Sequence, residues 1–133
     1  MNLSLVNKNA LVGGASAGIG RAVSLELAAM GANVTLVART ESTLQAALKE
    51  LNKSQGQQHG YIVADFDDSQ ILLTKITELL LTKPVHILVN NTGGPPGGPI
   101  TGAKPEDFLR AYHNRLICNQ LLAQAVLSGM KES

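Results

Sequence analysis

Asn9-Ala10-Leu11-Val12-Gly13-Gly14-Ala15-Ser16-Ala17-Gly18-Ile19-Gly20 runs from a short apolar segment, through a glycine-rich turn, into a stretch with helical spacing. Asn9 to Val12 predicts a buried strand that stops at Gly13 and Gly14. From Gly18 onward Ile19, Ala22, Val23, Leu27 and Met30 recur at helical intervals, and Gly31 closes the helix as a C-cap. A turn built this way is a phosphate cradle. Gly14 permits a positive φ, Gly18 lets backbone approach a pyrophosphate, and Gly20 lets the helix pack close on the strand. The free N–H groups and the helix dipole then favour an anion. Because strand, spacing and helix agree, dinucleotide binding is favoured over a plain structural turn.

Working outward, the same alternation of short β-type and longer helical runs continues. Val34 to Ala38 is a strand apolar enough to be covered on both faces, and Thr43 to Leu51 is a helix with Leu44, Leu48 and Leu51 along one side. Tyr61 to Ala64 is the third strand, ended by the acidic turn Asp65, Phe66, Asp67, Asp68, with Asp68 or Ser69 as the N-cap of a helix over Ser69 to Leu81. Lys83 and Pro84 stop that helix, and His86 to Val89 is the fourth strand. A Pro/Gly-rich loop from Asn90 to Pro105 leads into a long final helix, Glu106 to Met130, with a kink in it left open. The fold class expected is α/β: a Rossmann-type doubly wound parallel sheet, incomplete at about four strands, with helices on both faces. Ligands of such sheets sit past the carboxyl ends of the strands.

With 133 residues, 44% of them hydrophobic, the chain suits one domain, read as a single dinucleotide-binding unit over 1–133. A net charge of +1 argues against a polycationic nucleic-acid surface or a basic membrane face, and 3% aromatics leave few groups for stacking on single strands. The single Cys118 excludes an internal disulfide framework and fits a reducing compartment. Met1 to Lys8 lacks the pattern of a signal peptide, and no apolar run is long enough to span a bilayer, so a cytoplasmic location is expected.

The residue at the end of the second strand decides the nucleotide. An NAD-binding unit carries a carboxylate about 20 positions after the glycine turn, for the ribose 2′-hydroxyl. Here Ala38 and Arg39 stand there, and an arginine at that strand end pairs with a 2′-phosphate, which points to NADP(H).

These residues resemble the short-chain dehydrogenase/reductase family, and more loosely its bacterial 3-oxoacyl-acyl-carrier-protein reductases. The family's Thr-Gly-x-x-x-Gly-x-Gly turn is matched by Gly13 to Gly20, with Gly13 for the Thr. Its Asp after strand three is matched by Asp65, and its Asn-Asn-Ala-Gly after strand four by Asn90, Asn91, Thr92 and Gly93, with Thr92 for Ala. The resemblance implies that Gly14, Ser16, Ala17, Gly18, Ile19 and Gly20 cradle phosphates and ribose, and that Arg39 takes the 2′-phosphate. It also implies adenine contacts for Asp65 with Phe66, and contacts on the ribose side for Asn90, Asn91 and Gly93. Hydride transfer to a small-molecule carbonyl such as a 3-oxoacyl thioester is the implied activity.

The family's catalytic Ser and Tyr-x-x-x-Lys do not occur in this chain: neither Tyr61 nor Tyr112 is followed four positions later by Lys. The family's catalytic Asn falls on Arg115 when Phe108 and Met130 are aligned, with Asn114 one residue early. Either the helix register shifts by one or the site has diverged. Members carrying Asn-Thr-Gly-Gly-Pro-Pro, as Asn91 to Pro96 do, resemble a divergent branch in which Tyr and Lys are replaced. The chain is read as an amino-terminal half, truncated before the catalytic segment. Two functions follow: the NADP-binding half of an oxidoreductase, or a silent NADP-binding or regulatory module. A methyltransferase is a distant third, because it gives Arg39 and the Asn90, Asn91 pair nothing to do.

Elsewhere the reading is structural. His59, His86 and His113 lack ligand spacing, so no metal is expected, and the acidic turn lacks the glycine and distal Glu of a calcium loop. Cys118 reads as a small buried apolar group. The Pro/Gly loop is either a substrate entrance or a rigid connector. Leu116, Leu121, Leu122, Val126 and Leu127 make the final helix apolar over much of its surface, which predicts burial against more than one sheet. In the family this helix packs against its copy, implying a homo-oligomer through Glu106 to Met130.

Overall fold

Successive residues of the first strand point into different cores. Leu11 packs with Val37, Leu72, Ile76, Cys118, Leu122 and Val126, whereas its neighbour Val12 packs with Ala28, Val34, Leu36 and Leu44. This period-two division is what a strand covered on both faces requires. A computed structural model describes residues 3–92 and 97–132, so Gly93 lies outside the described residues.

The strands are β1 (Asn9–Gly13), β2 (Asn33–Ala38), β3 (Gly60–Val63) and β4 (Ile87–Val89), all parallel in the order β3-β2-β1-β4. β1 and β2 are interior and almost wholly buried; β3 and β4 are outermost and half-buried. α1 (Gly18–Ala29) and α2 (Glu41–Glu50) cover one face. The other is covered by α3 (Ser69–Thr82) and α5 (Cys118–Glu132), and α4 (Pro105–Tyr112) precedes α5. Of the two N-caps weighed for α3, Asp68 is the one used: its carboxylate accepts the Ile71 N–H at 3.1 Å. Beyond α1 the chain turns at Gly31, whose φ of 102° is left-handed.

The kink left open for the final helix is a π-helical turn over His113–Ile117, and the helix begins at Pro105. One sequence expectation is corrected, the burial of this helix against more than one sheet. Its carboxyl part buries a narrow stripe, Cys118, Leu122 and Val126, while Leu116 and Leu127 stay exposed and the helix covers a single face of the sheet. The stripe has helical spacing, so only one side of α5 reaches the sheet.

Two histidines serve the amino-terminal edge of the sheet. His86 Nδ1 accepts the Asn9 N–H at 2.8 Å, and His59 Nδ1 accepts the Val34 N–H at 3.0 Å. His59 Nε2 faces the Asn52 carbonyl at 2.7 Å, which sets that ring's proton on Nε2. These rings replace carbonyl acceptors where the ladder starts. His86→Ala leaves the Asn9 amide without its acceptor, and the expected loss of stability is about 1–2 kcal/mol. Denaturant titration checks it, and an unchanged midpoint would show that water replaces the ring at no cost.

Candidate cofactor site

The chain winds from β1 through β2 to β3 on one side, then crosses to place β4 on the other side of β1. Connections diverge at that point, so the carboxyl ends of the strands open onto a groove, of about 1480 Å³ here.

The glycine turn forms its floor. Gly14 has φ +56°, and a Cβ there would stand 2.7 Å from Asn91 Nδ2, so conformation and space both call for glycine. A Cβ on Gly20 would collide with the Gly14 carbonyl oxygen and stand 2.8 Å from Asn91 Nδ2. Gly20 thus lets the helix close on the turn itself and on the end of β4. Around Gly18, which also has a positive φ, a Cβ would meet nothing within 4 Å, so this part of the turn is open to a ligand. Asn91 is the brace: its amide donates to the Gly13 and Gly14 carbonyls at 3.3 and 3.4 Å. At the start of α1, Ala17 supplies no side-chain cap, leaving the first N–H groups to another acceptor.

Gly13 explains one departure from the family pattern. A Cβ there would stand 2.5 Å from the Asn91 carbonyl oxygen and 3.4 Å from the Phe66 ring. The family's Thr does not fit unless the end of β4 shifts.

Of the residues singled out in the sequence, Gly14, Ser16, Ala17, Gly18, Arg39, Asp65, Phe66, Asn91, Asn114 and Arg115 all border this groove. Gly20 is buried behind the turn, Ile19 is exposed outside the groove wall, and Asn90 donates to the Asn119 carbonyl at 3.4 Å. Phe66 is largely a core residue, and its carbonyl accepts the Cys118 thiol at 3.1 Å. Burial, reinforced by Asp67 and Asp65, pushes that thiol's pKa up, which disfavours the thiolate.

Charge is arranged at the ends of β2 and β3. Arg39 is exposed and enters no ion pair among the described residues. Asp65 accepts the Asp67 N–H at 2.8 Å, shaping the acidic turn. Arg110, from α4, grips Asp67 with both Nε and Nη2, Nε lying 3.1 and 3.0 Å from the two carboxylate oxygens. The Arg110 guanidinium, then the Asn114 amide, hold the Asp67 carboxyl below the usual carboxylate range, and the charge of Arg39 adds to this. The pair joins residues far apart in sequence, and no local pattern marks either of them.

Asn114 and Arg115 both lie in the π turn. A π turn inserts one residue relative to α-helical register, and both side chains reach the groove wall. Asn114 is half-buried and its Oδ1 has no hydrogen-bond partner among the described residues, whereas Arg115 is exposed. Among the described residues the wall carries no Tyr, Lys or His. Nor do any three His, Cys, Asp or Glu side chains gather as a metal site among them.

The family model of the short chain dehydrogenases matches residues 8–133. The chain belongs to that family. It is 36% identical over 131 residues to the inactive hydroxysteroid dehydrogenase-like protein 1 of Pongo abelii, covering 92% of this chain and 38% of that protein. It is 40% identical over 108 residues to the very-long-chain 3-oxoacyl-CoA reductase of Eremothecium gossypii, covering 80% of this chain and 29% of the reductase. Among solved structures, L-sorbose reductase from Gluconobacter frateurii, complexed with NADPH and L-sorbose, superposes with a TM-score of 0.88 at 26% identity. That match covers 99% of this chain and 51% of the sorbose reductase chain. This short chain dehydrogenase sequence therefore spans about half the length of that structure and less of the curated relatives. No helix among the described residues is long and apolar enough to cross a membrane.

Proposed function

We propose that residues 1–133 form the NADP(H)-binding unit of a short chain dehydrogenase that transfers hydride to a carbonyl, with 3-oxoacyl thioesters as the substrate class. One observation carries the reading. The open glycine turn and the unpaired Arg39 border one groove, and no carboxylate stands at the end of β2. Gly14, Ser16, Ala17 and Gly18 hold the pyrophosphate at the start of α1, with Ile19 beside it and Gly20 behind. Arg39 faces the 2′-phosphate, Asp65 and Phe66 the adenine, and Asn90 and Asn91 the ribose side; Gly93, given the same role by the resemblance, lies outside the described residues. The relatives' names support the choice of nucleotide and substrate, since one is bound to NADPH and another reduces 3-oxoacyl-CoA. When bound, the nucleotide supplies the hydride. The groups described here hold and orient it, and the Ser and Tyr-x-x-x-Lys of the family pattern do not occur in this chain.

A second reading, a silent NADP-binding module, is favoured by the π turn that sets Asn114 and Arg115 on the groove wall at or beside the family's Asn position, and by the name of one relative, the inactive hydroxysteroid dehydrogenase-like protein 1. Association through residues 106–130 fits either reading, because Phe108, Leu109, Tyr112 and Leu116 are exposed there. Titration of NADPH and NADH, followed by cofactor fluorescence, tests the common part: NADPH is expected to bind at least tenfold tighter, by about one charge-assisted contact. Equal affinities would overturn the nucleotide assignment. Substrate-dependent NADPH oxidation by a protein containing this chain would then exclude the silent module.

A further inference from the structure

Arg39 is not the only charged group where a 2′-phosphate would sit. β2 and β3 pair Ala38 with Val63, and the Ala64 N–H continues the ladder to the Ala38 carbonyl at 2.9 Å. The acidic turn therefore starts beside Arg39, and Arg39, Asp65, Asp67 and Arg110 all line the same groove. Left alone, Asp67 would do two things to an incoming phosphate: repel it, and compete for Arg39. Arg110, from α4, prevents both by taking both carboxylate oxygens of Asp67.

We propose that Arg110 sets the groove's selectivity for a 2′-phosphorylated nucleotide, by occupying Asp67 and leaving Arg39 free to face the phosphate. This rests on the NADP(H) reading above. Arg110 is a positioning residue, acting on the phosphate through Asp67 and Arg39. Among the described residues Arg110 is the cation that forms an ion pair with Asp67, so it is Arg110 that neutralises the carboxylate.

The test compares 2′,5′-ADP with 5′-AMP, which differ only in the 2′-phosphate, by calorimetry at low salt. The wild-type chain, Arg110→Ala, Asp67→Asn and the double variant are each titrated. Arg110→Ala is expected to lower the preference for 2′,5′-ADP about three- to tenfold with AMP affinity unchanged, and added salt should shrink the difference. The double variant is expected to restore the preference. Asp67→Asn alone should raise it, because Arg110 then adds an unopposed cation. A merely structural role for Arg110 would weaken both ligands together and leave their ratio unmoved, and that result overturns the proposal. If Arg110→Ala does not fold, Asp67→Asn decides by itself: a lowered preference sinks the idea. A wild-type chain that does not discriminate between the ligands would defeat the NADP(H) reading itself. Discrimination that survives Arg110→Ala intact would defeat only the role of Arg110.

Discussion

Gly20→Ala is expected to weaken NADPH binding by about 100-fold or more, through the loss of two charge-assisted phosphate contacts. The added Cβ meets the Gly14 carbonyl oxygen and, at 2.8 Å, the Asn91 amide nitrogen. Neither is the free end of a flexible side chain. The carbonyl is main chain in the turn, and the amide is tied to the Gly13 and Gly14 carbonyls. Helix and turn must therefore separate, which carries the N–H groups of the α1 amino terminus away from the phosphates. Overpacking of this kind costs about 1–3 kcal/mol in stability. Fluorescence titration and denaturant unfolding on the same preparation read both effects. Affinity within twofold of wild type would mean that the turn has room that the structure does not show.

Arg39→Asp is expected to reverse the nucleotide preference. The guanidinium offers charge-assisted bonds to a phosphate, and its loss lowers NADPH affinity by about 10- to 100-fold, with repulsion from the new carboxylate added. The same carboxylate stands where NAD-binding units hold the ribose 2′-hydroxyl, so NADH should bind more tightly than to wild type. Measuring both constants in one buffer is essential, because exposed charge pairs weaken with salt. An NADPH preference unchanged by the substitution would show that Arg39 is an ordinary solvated side chain. Wild-type selectivity would then have to come from elsewhere in the groove.

The elements whose pattern is local are legible in the sequence. The apolar runs of β1 and β2, the glycine turn and the helical spacing from Gly18 appear where expected, within a residue or two at their ends. Asp68 or Ser69 reads as the cap of α3 from residue type, and the Asp68 carboxylate is the one that accepts the Ile71 N–H. The π turn is legible only in part: the one-residue offset of Asn114 from Arg115 leaves a register shift open, but nothing in His113–Ile117 breaks helical periodicity, and the interruption coincides with packing of Cys118 onto the Phe66 carbonyl. The histidines at the strand starts show the same limit. His59 and His86 have no ligand spacing, and their work as backbone acceptors appears only when strands distant in sequence are laid side by side.

By itself the sequence determined the α/β class, the parallel winding, the position of the glycine turn and the arginine at the end of β2. Each depends on residues within one turn or one strand of each other, where backbone sterics and periodicity act directly. Tertiary structure alone decided that Asn91 braces the glycine turn, that Gly13 has no room for a side chain, and that Arg110 occupies Asp67 beside Arg39. Those contacts join segments separated by tens of residues. Their partners are chosen by how the helices settle on the sheet, and no single stretch of chain records that packing.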